Sequence, residues 1–152
     1  MTTRERYDRL YSKAVPFGKR PESIVRHILR FKESGRTLDL GAGQGRNSLL
    51  LAEHGFEVTA VDVSRIGIER INQEASRRGL SIKTKIADIR TARLSKSYDI
   101  VLMLFVLHHL RYTEARLLLD KVKRRTAESG LHIIAVFTQA GDFYQSNPRS
   151  SH

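Results

Sequence analysis

The chain alternates short apolar runs with amphipathic segments, and this alternation limits the folds open to it more than any other feature of the sequence. Strands that alternate with helices of ordinary length form βαβ units, in which the strands pair in parallel. A near-continuous apolar run is typical of a central strand covered on both faces. The sequence therefore predicts an α/β fold with a doubly wound, mainly parallel sheet flanked by helices. The predicted strands are residues 36–40, 57–63, 80–89, 98–107 and 131–137.

End signals place the helices before and between these strands. Residues 21–35 form an amphipathic segment, with Pro21 suited to its first turn and Gly35 to its C-terminal cap. Ser64 is predicted to cap a helix that runs to residue 79, and another helix is predicted from about residue 113 to residue 130. A chain of 152 residues has room for one core. We expect a domain at residues 21–140, between an N-terminal cap segment at 1–20 and a polar C-terminal tail at 141–152.

Composition argues against several kinds of chemistry. The chain has no cysteine and its six histidines form no HxxxH or HExxH pair, so we predict no metal site and no cysteine nucleophile. No apolar run approaches the length of a membrane span or a signal core, which predicts a cytoplasmic protein without a membrane partner. The net charge of +11 favours acidic partners, although the densest basic group, residues 121–125, is typical of a solvated helix face.

Three alternate glycines follow the first predicted strand and indicate a ligand site. At Gly41, Gly43 and Gly45 the chain can turn sharply into the next helix, and a ligand can lie against bare backbone. Ligands of doubly wound sheets bind at the carboxyl ends of the strands, where this loop is expected. A tight turn without a ligand is the alternative explanation of these glycines.

Two carboxylates near the loop restrict the kind of ligand. Asp39 precedes the first glycine, where it would repel a pyrophosphate and attract a cation, and Arg46 stands where a dinucleotide fingerprint has its third glycine. Asp62 ends the second strand, from which a carboxylate can accept hydrogen bonds from both hydroxyls of a ribose. The predicted ligand is a nucleoside with a positively charged tail that carries no phosphate.

The stretch TLDLGAGQGRNSLLLAEHGFEVTAVDVS, with AGDFYQSNP after the fifth strand, resembles class I S-adenosylmethionine-dependent methyltransferases, and among them the tellurite-resistance branch. The resemblance extends from about Tyr7 to Pro148. It implies a Rossmann-like sheet in the order 3-2-1-4-5 and S-adenosyl-L-methionine as the cofactor. Members of this family usually add two strands after the fifth, and the chain looks truncated before them. Residues 131–137 would then lie at a sheet edge, which predicts a homodimer through that edge.

The resemblance also implies roles for particular residues. Asp39 would lie near the amino group of the cofactor, Asp62 at its ribose and Asp88 at its adenine, although Asp88 is also explained as a turn cap. His109 could accept a proton, and Arg46 could guide an anionic acceptor. The residues implied to bind the cofactor are Asp39, Gly41, Gly43, Gly45, Asp62, Val63, Asp88, Ile89, Leu104 and Phe105.

Methyl transfer from a sulfonium needs correct positioning in a dry cleft more than it needs a base. The resemblance therefore predicts transfer to a small-molecule acceptor, either an oxyanion such as tellurite or another soft nucleophile. The net charge leaves an RNA methyltransferase open, and a non-catalytic protein that binds S-adenosylmethionine is a third alternative. Tyr7 and Tyr11 are predicted either to fold over the cofactor or to pack as surface aromatics.

Overall fold

The computed structural model describes residues 1–138 and 140. Within these residues, five parallel strands form one sheet in the order β3-β2-β1-β4-β5, which confirms the predicted doubly wound, Rossmann-like α/β fold. The strands are β1 (Arg36–Leu40), β2 (Glu57–Asp62), β3 (Ile82–Ile86), β4 (Tyr98–Leu104) and β5 (Thr126–Ala135). The helices are α1 (Thr3–Lys13), α2 (Ser23–Ile28), α3 (Arg46–Glu53), α4 (Arg65–Arg77) and α5 (Tyr112–Lys123), with a 3₁₀ turn at Leu107–His109.

The central strand β4 is buried on both faces, as its apolar run predicts. Met103 belongs to a core cluster that includes Val122 of α5, whereas its neighbour Leu102 belongs to a second cluster that includes Val25 of α2. All four side chains are fully buried. Successive residues of a strand point to opposite faces of the sheet, so two helical layers cover β4 from opposite sides.

The predicted end of β4 and the predicted extent of α2 are wrong. β4 ends at Leu104 and not at residue 107, because Phe105 has a φ of +56° and turns the chain out of the sheet. α2 covers Ser23–Ile28 and not residues 21–35. Gly35, with a φ of +148°, lies against Asp99 beside the start of β1 and does not cap α2 directly.

The boundary between α5 and β5 also differs from the prediction. α5 ends at Lys123, and the segment predicted to continue the helix to residue 130 is the first half of β5. The pairing register between β4 and β5 shifts within this half, where Ser129 has a φ of +59°. A bulge of this kind adds residues to one strand that do not pair regularly with its neighbour, so β5 begins well before the apolar run at residue 131 and the helix prediction extended too far.

The N-terminal segment contains a helix that the sequence reading did not place. Thr2 and Glu5 form a capping box at the start of α1, in which each side chain bonds the backbone N–H of the other residue. Asp8 docks α1 onto the start of α4, because its carboxylate accepts hydrogen bonds from Ser64 Oγ at 2.5 Å and from the Ile66 N–H at 3.2 Å. The domain bounds at residues 20 and 140 stay predictions.

The C-terminal predictions are only partly covered by the described residues. Among those residues β5 pairs with β4 alone, and Leu131, Ile134 and Val136 are 36%, 45% and 44% exposed. The polar tail at 141–152, with most of AGDFYQSNP, lies outside the described residues. No helix in the described part of the chain is long and apolar enough to cross a membrane.

Candidate functional site

A cleft of about 1140 Å³ opens at the carboxyl ends of the strands. The loops after β1, β2, β3 and β4 line it from the sheet, and α1 with the segment that follows lines it from outside. Its volume slightly exceeds the usual range of small-molecule sites, about 300–1,000 Å³. The structure brings all the predicted site residues to this cleft except Gly45.

The glycine loop after β1 follows a path that side chains would obstruct. Gly41, Gly43 and Gly45 have φ values of +78°, +57° and +85°, all in the left-handed region that glycine tolerates best. A Cβ at Gly41 would lie 2.7 Å from Val106 Cγ2, and one at Gly45 would lie 2.6 Å from Ile71 Cγ1. Gly45 therefore permits close packing at the start of α3 and does not itself line the cleft.

A fourth glycine, Gly67 in the first turn of α4, is part of the same structure. A Cβ at Gly67 would lie 2.6 Å from the carbonyl oxygen of Gly43, so α4 can approach the loop only because this position is bare. The sequence reading missed Gly67. Its position inside a predicted helix, where glycine is disfavoured without a packing reason, was the available signal.

Asp62 at the end of β2 holds the glycine loop in place. Its carboxylate accepts hydrogen bonds from the N–H of Gly43 and from the N–H of Ser64, both at 2.8 Å. The side chain is buried but reaches the cleft. Burial raises the pKa of Asp62, while the bonds from Ser64 and Gly43 act in the opposite direction. The carboxylate keeps acceptor capacity for a ligand, since each of its oxygens has two lone pairs.

Asp39 lies beneath the loop as a second buried carboxylate. Its exposed fraction is 2%, and Ser48 Oγ donates to its Oδ2 at 2.7 Å. Burial raises the pKa of Asp39 to about 6, against the opposing hydrogen bond from Ser48. A carboxylate that is costly to ionise alone is well suited to a cationic ligand, because the ligand's charge offsets the desolvation penalty.

Asp88 after β3 lines the cleft but also has local partners. Its carboxylate forms an ion pair with Arg90, and its Oδ1 accepts the Arg90 N–H at 2.9 Å. Arg90 in turn bonds Glu114 at 3.1 Å. The hydrogen bond from Arg90 is the main reason that the pKa of Asp88 is lowered. Asp88 therefore serves as a turn cap, the simpler of the two explanations, while it still faces the cleft beside Ile89.

The segment after β4 holds a strained residue and a long-range pair. Phe105 has a φ of +56°, which is uncommon for a bulky side chain and recurs at functional sites. The ring of His109 lies 2.8 Å from the Tyr7 hydroxyl, measured from Nε2. Burial, with His108 and Arg6 nearby, lowers the pKa of His109 to about 4. His109 is therefore neutral at neutral pH and hydrogen-bonded to α1.

Arg46 at the start of α3 is already engaged by the N-terminal segment. Its guanidinium donates to the carbonyl oxygens of Phe17 at 2.6 Å and Arg20 at 3.3 Å, and it forms an ion pair with Glu22. These contacts fix residues 17–22 against the glycine loop. The prediction that Arg46 guides an acceptor stays a prediction, and the contacts favour a role in positioning.

Seven ring side chains line the cleft in an unbroken series, which we term the aromatic arc. Each ring contacts the next, with centroid separations of 6.4, 5.7, 5.8, 4.1, 5.1 and 4.8 Å along the series. All the separations except the 4.1 Å between His108 and His109 fall within about 4.5–7 Å, the range of favourable aromatic pairs. The members, in order, are Phe17, Tyr11, Tyr7, His109, His108, Phe137 and Phe105.

The fold is shared with solved structures of other proteins. The crystal structure of TehB from Haemophilus influenzae superposes with a TM-score of 0.74 at 27% identity, over 84% of this chain and 44% of that chain. The crystal structure of coclaurine N-methyltransferase bound to N-methylheliamine and SAH superposes with a TM-score of 0.66 at 30% identity, over 74% of this chain and 34% of that chain. Together they define a class I S-adenosylmethionine-dependent methyltransferase fold.

The particular family follows from the sequence match. Residues 6–150 match the model of the family described as tellurite resistance protein TehB, and the chain belongs to that family. A probable S-adenosyl-L-methionine-dependent methyltransferase TehB from Haemophilus influenzae is 31% identical over 107 residues, which is 70% of this chain. The chain spans 37% of the length of that relative. These matches confirm the predicted family.

Proposed function

We propose that the protein binds S-adenosyl-L-methionine and transfers its methyl group to a small-molecule acceptor. The observation that carries the proposal is the pair of buried carboxylates, Asp39 and Asp62, that line one cleft together with a left-handed glycine loop. Family membership and the names of relatives, an S-adenosyl-L-methionine-dependent methyltransferase and an N-methyltransferase bound to SAH, support it.

The residues present fit this cofactor. Bare backbone at Gly41 and Gly43 leaves room for the methionine portion, and the buried Asp39 offers a counter-charge to a cationic ligand. Asp62, Val63, Asp88 and Ile89 line the same cleft. In this proposal Asp62 would accept hydrogen bonds from the ribose hydroxyls, Val63 would pack on the adenine, and Asp88 with Ile89 would contact the adenine edge. When bound, the cofactor supplies an electrophilic methyl group on a positively charged sulfur.

The chain's own residues would position the two bound molecules and exclude water from the reacting atoms. Leu104 and Phe105 provide apolar cover at the end of β4, and α1 covers the other side, so that water is kept from the reacting atoms. Alignment of two bound molecules lowers the barrier without a covalent step. His109 is neutral at neutral pH, because its pKa is lowered to about 4, and it is suited to orienting Tyr7 more than to accepting a proton.

Two classes of methyl acceptor are compatible with this proposal. The family description favours an oxyanion such as tellurite, and the N-methyltransferase relative favours an organic nucleophile. An RNA acceptor has less support, because Lys121 of the basic cluster donates to the carbonyl oxygens of Ile89, Arg90 and Ala92. A protein that binds the cofactor without transfer is the non-enzymatic alternative.

Calorimetry followed by a transfer assay tests the proposal. We expect S-adenosyl-L-methionine to bind the wild-type chain and Asp120→Ala alike, because Asp120 is exposed on α5 away from the cleft. Asp39→Asn should bind it at least tenfold more weakly, because a buried charge partner is lost. Failure of the wild-type chain to bind the cofactor would refute the proposal. Binding without transfer to any small acceptor or RNA would leave the non-catalytic alternative.

We also propose a homodimer through the exposed side of β5. A strand edge that no other strand of the described residues covers favours pairing with another chain, and the apolar side chain of Ile134 in β5 is 45% exposed. Sedimentation of the wild-type chain and of Ile134→Lys across a range of concentrations tests this. Association lost in the variant would support the homodimer, and a wild-type chain that stays monomeric at high concentration would refute it.

A further inference from the structure

The loop after β3 forms a single turn whose start is capped within the loop itself. The carbonyl oxygen of Asp88 accepts the N–H groups of Thr91 at 3.1 Å and Ala92 at 2.8 Å, which closes the turn. The Asp88 side chain caps the start, because its Oδ1 accepts the Arg90 N–H at 2.9 Å. Residues 87–90 line the cleft. The turn is therefore part of the cleft wall, on the side that the proposed function assigns to the adenine.

One side chain from α5 binds the carbonyl oxygens at the other end of this turn. The Lys121 ammonium donates at 3.2, 3.1 and 3.0 Å to the carbonyl oxygens of Ile89, Arg90 and Ala92. An ammonium has three N–H donors, so these bonds use all of them. A cation that binds the last carbonyl groups of a helical turn stabilises that turn. Lys121 therefore caps the end of the turn that Asp88 caps at its start.

Lys121 contacts the turn from outside the cleft. It does not line the cleft, and it lines instead a second cavity with Leu94 and Arg124. The same loop is also linked to α5 by the ion pair of Arg90 with Glu114, but the Arg90 side chain is 46% exposed, where solvent weakens such pairs. Lys121 is half-buried, and charge-assisted hydrogen bonds are stronger where water is partly excluded. Lys121 is therefore the stronger of the two links between α5 and this part of the cleft wall.

We propose that Lys121 is a positioning residue for the adenine portion of the cofactor, because it fixes the turn at residues 88–92 in the conformation that recognises adenine. This inference rests on the proposed function, in which Asp88 and Ile89 contact the adenine edge. Adenine presents a donor amino group at that edge. A purine with a carbonyl oxygen in its place turns an acceptor toward the Asp88 carboxylate, and a turn held in position rejects it. Selectivity between the two purines therefore reports the position of the turn.

The test compares S-adenosylhomocysteine with S-inosylhomocysteine, which differ only at that edge of the purine. We expect calorimetry to show that the wild-type chain prefers S-adenosylhomocysteine by at least about tenfold. Lys121→Met keeps an apolar stem but loses the ammonium, so this preference should fall to about threefold or less. Most of the change should be weaker binding of S-adenosylhomocysteine. Lys123→Met, at an exposed position of the same helix, should keep the wild-type preference.

Amide hydrogen exchange of the ligand-free protein supplies a second measurement. In Lys121→Met the N–H groups of Thr91 and Ala92, which close the turn, should exchange about three- to tenfold faster than in Lys123→Met. Amides of β1 should exchange alike in the two variants, because only the turn loses a bond. Equal acceleration in the turn and in β1 would mean that Lys121 only stabilises the whole fold, and would overturn the positioning role.

The outcomes separate this inference from the proposed function. If S-adenosylhomocysteine does not bind the wild-type chain, the proposed function fails and this inference fails with it. If it binds, but Lys121→Met loses the same factor of affinity for both compounds or loses none, only the positioning role is overturned. A wild-type chain that binds both compounds equally would also overturn that role, since the turn would then not distinguish the adenine edge.

Discussion

The two walls of the cleft are built by different means. The wall formed by the loops after β1 and β2 is mostly backbone, held by left-handed glycines and by the Asp62 carboxylate. The opposite wall, the aromatic arc, is made of side chains from segments far apart in the chain, such as Tyr7 and His109. In the first, which we term the backbone wall, a Cβ at Gly41 would lie 2.7 Å from Val106 Cγ2. The second, which we term the side-chain wall, depends on contacts between side-chain rings. We therefore expect added atoms to disturb the backbone wall, and lost side-chain atoms to disturb the side-chain wall.

The largest expected effect is the loss of stability on adding a methyl group in the glycine loop, at the position that packs behind the backbone wall. Gly45→Ala should lower the free energy of unfolding by about 2–4 kcal/mol, because it combines a left-handed φ with a Cβ 2.6 Å from Ile71 Cγ1. Gly55→Ala is the matched control, because its φ is +83° but nothing lies within 4 Å of the new Cβ. It should cost only about 1 kcal/mol. Equal costs in denaturant unfolding would show that close packing is not what the loop requires.

The second-largest effect is expected from removal of the Asp62 carboxylate. Asp62→Ala leaves the N–H groups of Gly43 and Ser64 without this partner, and we expect about 1–3 kcal/mol of lost stability. Affinity for S-adenosyl-L-methionine should fall at least tenfold in calorimetry. Asp120→Ala, on an exposed face, should change neither quantity. A variant that loses affinity at full stability would mean that Asp62 contacts only the ligand and does not hold the loop.

The pH dependence of cofactor affinity tests whether Asp39, in the backbone wall, binds a cation. Because the pKa of Asp39 is raised to about 6, the carboxylate is ionised above that pH and protonated below it. Affinity for the cationic cofactor should therefore rise about tenfold between pH 5 and pH 7. The apo protein should respond in the opposite direction, because a folded-state pKa above the unfolded value contributes stability at low pH that is lost as pH rises through about 6. Asp39→Asn should flatten both curves, and an affinity independent of pH in the wild type would contradict this role.

The smallest expected effect lies in the side-chain wall. Tyr7→Phe removes the hydroxyl that lies 2.8 Å from His109 Nε2, which should cost about 0.5–1.5 kcal/mol of docking free energy for α1. Amide hydrogen exchange should then speed up about three- to tenfold in α1, with no change in α3. Equal acceleration in both helices would mean that the walls do not open independently.

Much of the fold could be predicted, because its signals are local. β1 was predicted to the residue, and Ser64 caps α4 as expected, because its hydroxyl oxygen accepts a hydrogen bond from the Gly67 N–H. The predicted boundaries of β4 and β5 were wrong where the backbone leaves regular geometry, at Phe105 and in the bulged first half of β5. α1 could have been found from its capping box at Thr2 and Glu5, but that signal was overlooked.

By itself the sequence determined the sheet, the glycine loop and the two carboxylates beside it, since alternating apolar runs, bare backbone and a strand-end aspartate each act within a few residues. Only the tertiary structure decided that Arg46 is bound to residues 17–22, that Asp62 also holds the loop, and that seven rings form one arc. These features depend on contacts between residues distant in the chain, such as Tyr7 with His109. Such contacts exist only after the sheet has brought α1 and the carboxyl end of β4 to the same cleft, so no short stretch of the sequence predicts them.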